Sequence, residues 1–171
     1  MIRKINLLFV TFFYTGYIKI ASGTFASLFT SIILFYLFRS SISIDYFHII
    51  SIATFFIFIY SLFAIKTLKN EFEEIDASEI VIDEVVGQII PILIIEYITF
   101  SQSNMFGANL SLYVISFFLF RFFDIFKPFF IRYFDKNYKN SFGVILDDVV
   151  AGLYVVLTLI IFMLIKSKFF S

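Results

Sequence analysis

The sequence predicts an all-α, multi-pass membrane protein: about four to five membrane-embedded helices, with polar chemistry gathered at one face of the bilayer. Three observations lead there. The hydrophobic fraction is 61% over 171 residues and the mean hydropathy is +0.98, well above the roughly 45–50% apolar content of soluble domains. A soluble chain of this length leaves about a third of its surface in water, so lipid must cover the excess. The apolar residues fall into five segments, and the charges collect in the connections between them. The length allows a single domain, residues 1–171.

Taken in order, the apolar segments are Thr24–Phe38, Phe47–Ile65, Val85–Phe100, Asn109–Phe123 and Val149–Ile165. Several fall short of the ~20 residues that a perpendicular spanning helix needs, so their helices must tilt, embed partially or extend into flanking turns. An earlier stretch, Ile5–Tyr14, is too short to span and is expected to lie in the interface or to re-enter. Pro91 sits inside the third segment and predicts a kink.

The connections are unequal. Arg39–Tyr46 and Ser101–Ala108 are short and nearly uncharged, whereas Lys66–Glu84 and Asp124–Asp148 hold most of the charge. With five crossings and a cytoplasmic N-terminus, both charged connections lie inside. Arg3, Lys4, Lys19, Lys66, Lys69, Arg121, Lys127, Arg132, Lys136 and Lys139 then face the cytoplasm, against Arg39, Lys166 and Lys168 outside, which is the positive-inside bias. Every acidic residue except Asp45 and Glu96 falls on that same side.

Composition also excludes function classes. Zero net charge without a basic run argues against nucleic acid as a partner. No cysteine and one histidine, His48, leave no thiolate chemistry and little for zinc.

Four clusters remain. Asp76, Glu79 and Asp83 would share one face if their segment is helical. Asp83 and Glu84 abut an apolar run, where charge costs several kcal/mol unless paired or metal-bound; the ordinary alternative is an acidic helix start. Asp147 and Asp148 repeat the arrangement before the last apolar segment, and adjacent aspartates point in different directions, so one of them is expected to face Asp83 or Glu84. An oxygen-only set suits a hard cation, most simply Mg²⁺. The two acidic pairs sit in similar surroundings: Ile80-Val-Ile-Asp-Glu-Val-Val-Gly87 echoes Val144-Ile-Leu-Asp-Asp-Val-Val-Ala-Gly152.

The third cluster interleaves Arg121, Asp124, Lys127 and Arg132 with aromatic residues before and after Pro128. A snorkelling belt with a simple Arg121–Asp124 pair is one reading; an anion site in which Lys127 or Arg132 grips phosphate oxygens is the other. The fourth is Gly23-Thr24 at the start of the first long segment, where backbone N–H groups and a hydroxyl suit an anion or simply cap a helix.

Laid end to end, these motifs resemble the phosphatidylglycerophosphatase A family over nearly the whole chain: Gly23-Thr24, Ile80-Val-x-Asp-Glu-x-x-Gly87, Phe120-Arg-x-x-Asp-Ile-x-Lys-Pro-x-x-Ile-Arg132 and Gly143-Val-x-x-Asp-Asp-x-x-Ala-Gly152. Departures fall at backbone-shaping positions, with Ser22 and Phe130 where the family has Pro, Ala26 where it has Gly, and Asn140-Ser141 for a Gly pair. The resemblance implies an all-helical, Mg²⁺-dependent enzyme of the bacterial inner membrane with its site facing the cytoplasm. It would convert phosphatidylglycerophosphate to phosphatidylglycerol, a phosphoric monoester hydrolysis. Asp83, Glu84, Asp147 and Asp148 would hold the metal and, with Lys127 and Arg132, form the catalytic set. Gly23, Thr24, Arg121, Asp124, Lys127 and Arg132 would bind the headgroup while the acyl chains stay in the bilayer. The competing classes are an ion-coupled transporter, which favours charges near mid-membrane and broken helices, and a scaffold whose clusters merely pair.

Overall fold

A computed structural model describes residues 2–40, 44–68, 71–72, 77–101, 108–138 and 140–170. Among these there is no strand. The chain forms α1 (Ile2–Val10), a 3-10 turn at Thr15–Tyr17, α2 (Ser22–Ser40), α3 (Ile44–Thr67), α4 (Ile82–Ser101), α5 (Leu110–Phe126), α6 (Phe130–Asn137) and α7 (Ser141–Phe170). The five expected apolar segments are the cores of α2, α3, α4, α5 and α7.

Four of these helices, α2, α3, α4 and α7, are long and apolar enough to cross a membrane. With 17 residues, α5 reaches only ~25 Å at 1.5 Å per residue, short of the ~30 Å hydrocarbon core. Lipid-facing surface is plain on α3, where Ile52, Phe55, Phe56, Ile59 and Phe63 are exposed. Hydroxyl residues that point inward on α2 bond back to their own helix: Ser27 to Gly23 O, Thr30 to Ala26 O and Ser31 to Ser27 O, at 2.8–2.9 Å. That satisfies each donor where water is absent.

At the centre lies α4, packed against α2, α3, α5 and α7. Pro91 is carried inside it, and the helix is continuous from Ile82 to Ser101. The α4–α7 contact is made backbone to backbone by two glycines. A Cβ on Gly152 would come within 2.5 Å of Gly87 O, and one on Gly87 within 2.7 Å of both Asp148 O and the Phe120 ring. The echo between the two acidic motifs therefore has a packing function: each glycine lets the other helix close in and brings the two acidic pairs face to face.

Short elements hold the ends. Asn6 of α1 is buried, donating to Thr67 Oγ1 (2.7 Å) and accepting from Tyr60 OH (2.6 Å). The expected interfacial segment thus docks on α3. At the opposite end of the bundle, Glu96 accepts from Tyr113 OH (2.6 Å) and Ala108 N (3.1 Å), while Arg39 donates to Ala108 O (3.3 Å).

Candidate active site at one end of the bundle

Helix ends bring the acids and cations together. Chain direction alternates, so the starts of α2, α4 and α7 and the end of α5 meet at one end of the bundle. Asp83 and Glu84 occupy the first turn of α4. Asp147 and Asp148 lie inside α7, which starts at Ser141, so these aspartates do not precede the last helix as the hydropathy pattern suggests. Asn140 makes that early start possible: its Oδ1 accepts from the N–H groups of Phe142 (3.1 Å) and Gly143 (2.9 Å), capping the helix N-terminus.

Asp83, Glu84 and Asp148 converge, with one carboxylate oxygen from each lying within 4.8 Å of the others. Asp83 and Asp148 are 6% and 4% exposed. Three like charges at this separation repel strongly in a water-poor setting. Glu84 Oε2 is buried and without a hydrogen-bond partner, a cost of about 1–3 kcal/mol for an acceptor taken from water. Both features fit a bound hard cation, and an all-oxygen donor set fits Mg²⁺ chemistry.

Asp147 goes elsewhere. Its Oδ2 lies 2.7 Å from Lys127 Nζ, so the adjacent aspartates divide between the acidic cluster and the cation, as their divergent directions require. Lys127 caps α5 in the left-handed region (φ 43°), and with Pro128 next it ends that helix. Arg121, two turns earlier, has Nη1 2.6 Å from Asp124 Oδ2 and 3.8 Å from Glu84 Oε1. Neither Nη1 nor Nε has an aligned hydrogen-bond acceptor, so donors remain for a ligand.

Gly23 faces this cluster. A Cβ there would overlap the Glu84 carboxylate and approach Arg121 Nη1 to 3.2 Å. The missing side chain leaves α2 room to pass beside the Glu84 carboxylate in this position. The carboxylates and cations line one cavity of about 500 Å³, closed on its other side by the segments around Gly16–Gly23 and Ala77–Ile80.

Of the residues singled out by sequence, Gly23, Asp83, Glu84, Arg121, Asp124, Lys127, Asp147 and Asp148 all line this cavity. Thr24 and Arg132 do not; Thr24 lies within α2 and Arg132 is exposed on α6. The expected acidic helix face is not formed, because Glu79 lies in a turn before α4 begins at Ile82. Asp76 lies outside the described residues. Ser22, at the start of α2, also lines the cavity, as do Lys19 and Ser78, which carry no sequence signal because loop positions have no periodicity to read. Gly16 had a faint one: a Cβ there would overlap the Glu79 backbone, a close approach that only glycine permits.

A family model for phosphatidylglycerophosphatase A matches residues 8–163. The chain belongs to the phosphatidylglycerophosphatase A family. It is 60% identical over 42 residues to a phosphatidylglycerophosphatase A of Haemophilus influenzae, covering 25% of this chain and 26% of that protein. It is 41% identical over 80 residues to a putative phosphatidylinositol-3-phosphatase of Bacteroides thetaiotaomicron, covering 46% of this chain and 44% of that one. The matches thus span about a quarter and less than half of the lengths of these relatives. No solved structure matches the chain.

Proposed function

We propose that this member of the family is a Mg²⁺-dependent lipid phosphatase that hydrolyses the terminal phosphomonoester of phosphatidylglycerophosphate to give phosphatidylglycerol. One observation carries the reading. Three carboxylates, two buried and one partly buried, converge beside two cations that are themselves held by carboxylates, at the mouth of membrane-long helices. The relatives' names supply the substrate class, a phosphorylated lipid headgroup.

In this reading Asp83, Glu84 and Asp148 hold the metal. When bound, the metal would supply neutralising charge for the phosphate and would lower the pKa of a bound water. Asp147 keeps Lys127 Nζ aimed at the cavity, and Asp124 does the same for Arg121, so both cations face the charge that develops on the phosphoryl oxygens. Because these donors are already anchored, little reorganisation is needed on binding. Gly23 leaves room for Glu84. Arg132, outside the cavity wall, meets lipid headgroups at the surface. The acyl chains remain in the bilayer while the headgroup enters, and the site opens to the cytoplasmic side of the bacterial inner membrane, following the positive-inside bias.

Phosphate release by detergent-solubilised protein tests this, with phosphatidylglycerophosphate as substrate, in Mg²⁺ and then in excess chelator. The expected result is release that stops with the chelator and returns with Mg²⁺. Folded protein that releases nothing, or releases phosphate undiminished in chelator, would refute it.

A further inference from the structure

Among the described residues lining the cavity, Lys19 is a cation that the proposed mechanism does not use. The cavity's described lining includes six carboxylates, those of Glu79, Asp83, Glu84, Asp124, Asp147 and Asp148, against three cations, Lys19, Arg121 and Lys127. Two of those cations are committed, Arg121 to Asp124 and Lys127 to Asp147. Lys19 is exposed and forms no ion pair among the described residues. Among the described residues lining the cavity, it is therefore the positive charge without an ion-pair partner that an incoming anion meets.

The backbone that carries Lys19 is tied down. Ile18 N donates to Thr15 O (3.0 Å) and Gly16 N to Thr11 O (3.0 Å). Just beyond Lys19, Ser22 Oγ donates to Ser78 O (2.7 Å), and Gly16 packs directly on the Glu79 backbone. The segment is fastened on both sides of Lys19 to the neighbouring residues Ser78 and Glu79, so the exposed ammonium is carried at the cavity by a fixed backbone and a flexible stem.

We propose that Lys19 is a specificity-determining residue, binding the phosphodiester of the headgroup while the acid–cation cluster on the cavity floor takes the terminal phosphomonoester. This rests on the phosphatase reading above and adds a substrate requirement to it. Phosphatidylglycerophosphate carries two phosphates separated by a three-carbon polyol. With the terminal phosphate on the floor, the diester is left toward the rim and the membrane, where the unengaged cation stands. Phosphatidic acid has only a monoester and offers Lys19 nothing once that group is bound below.

The test compares these two lipids with matched acyl chains in neutral-detergent micelles, for the wild type and Lys19→Ala, Lys19→Glu and Lys19→Arg. Neutral micelles remove general attraction of a lysine to an anionic surface, an effect that would in any case act on both lipids. The ratio of kcat/KM for the diphosphorylated lipid over phosphatidic acid is expected to fall about fivefold in Lys19→Ala, the upper range for an exposed ion pair, chiefly through KM. It should fall further in Lys19→Glu and be retained in Lys19→Arg. An unchanged ratio in Lys19→Ala, or equal losses on both lipids, would overturn the inference and leave the phosphatase reading intact. Wild-type protein active on neither lipid would overturn both.

Discussion

Two polar clusters are buried at opposite ends of the same bundle, and they solve the problem of carboxylates near lipid in opposite ways. At the end away from the cavity, both oxygens of Glu96 are used, one by Tyr113 OH and the other by the backbone N–H of Ala108. Arg39 closes the arrangement, bonding Ala108 O and lying 4.9 Å over the Phe35 ring, whose edge meets Tyr113. At the cavity end, three carboxylates crowd together and Glu84 Oε2 has no partner. A satisfied buried network rigidifies a fold; an unsatisfied one is tolerated where something else binds. The difference separates a cluster whose partners are complete within the fold from one whose geometry leaves room for a ligand.

Substitutions at the two ends should therefore separate activity from stability. The largest effect is expected for Asp148→Asn, with kcat lower by about a thousandfold, comparable to losing a principal electrostatic group of an active site. Relief of repulsion should leave its melting temperature in chelator equal to or above wild type. Mg²⁺ should raise the wild-type value and not the variant's, by the linkage between binding and folding. Circular dichroism melts with and without Mg²⁺ check both; a variant destabilised in chelator would make Asp148 a structural residue.

Next comes the α4–α7 seam that the two ends share. Gly152→Val forces a side chain against Gly87 O, approached to 2.5 Å by a Cβ alone, and should cost about 3 kcal/mol of stability, the upper range for overpacking. Activity should fall too, because Asp83 and Asp148 move apart. A stable, active Gly152→Val protein would show that the seam is looser than it is drawn.

Glu96→Ala is the counterpart of Asp148→Asn at the other end. It leaves Ala108 N and Tyr113 OH without their acceptor and should lose about 2 kcal/mol, while kcat per folded molecule stays at the wild-type value. Loss of activity without loss of stability would erase the distinction between the clusters. The smallest effect is expected for Tyr113→Phe, which removes one hydrogen bond and retains the ring packed on Phe35; about 1 kcal/mol should be lost in denaturant titration.

How much of this was legible varies along the chain. The apolar cores of α2, α3, α4, α5 and α7 were visible because lipid demands long hydrophobic runs. Their ends were not: α7 starts at Ser141, well before Val149, since a hydropathy pattern stops at Asp147 and Asp148 while backbone hydrogen bonding continues through them. The pair at Asp83 and Glu84 stood out as charge against an apolar run. That Asp148 would join it, and Asp147 take Lys127, depended on the rotation of α7 about its axis, which Gly87 and Gly152 set.

Composition, segment lengths and the clustering of charge thus determined a helical membrane protein with an acid-rich and cation-bearing region, because hydrophobic burial in lipid is a local property of each segment. The motifs determined the family. Only the tertiary structure decided which carboxylates meet, which cation each holds, and that Lys19 reaches the cavity while Arg132 does not. Those outcomes are fixed by helix rotation and by loop paths over the bundle end, where contacts join residues far apart in sequence and leave no period for a sequence to show.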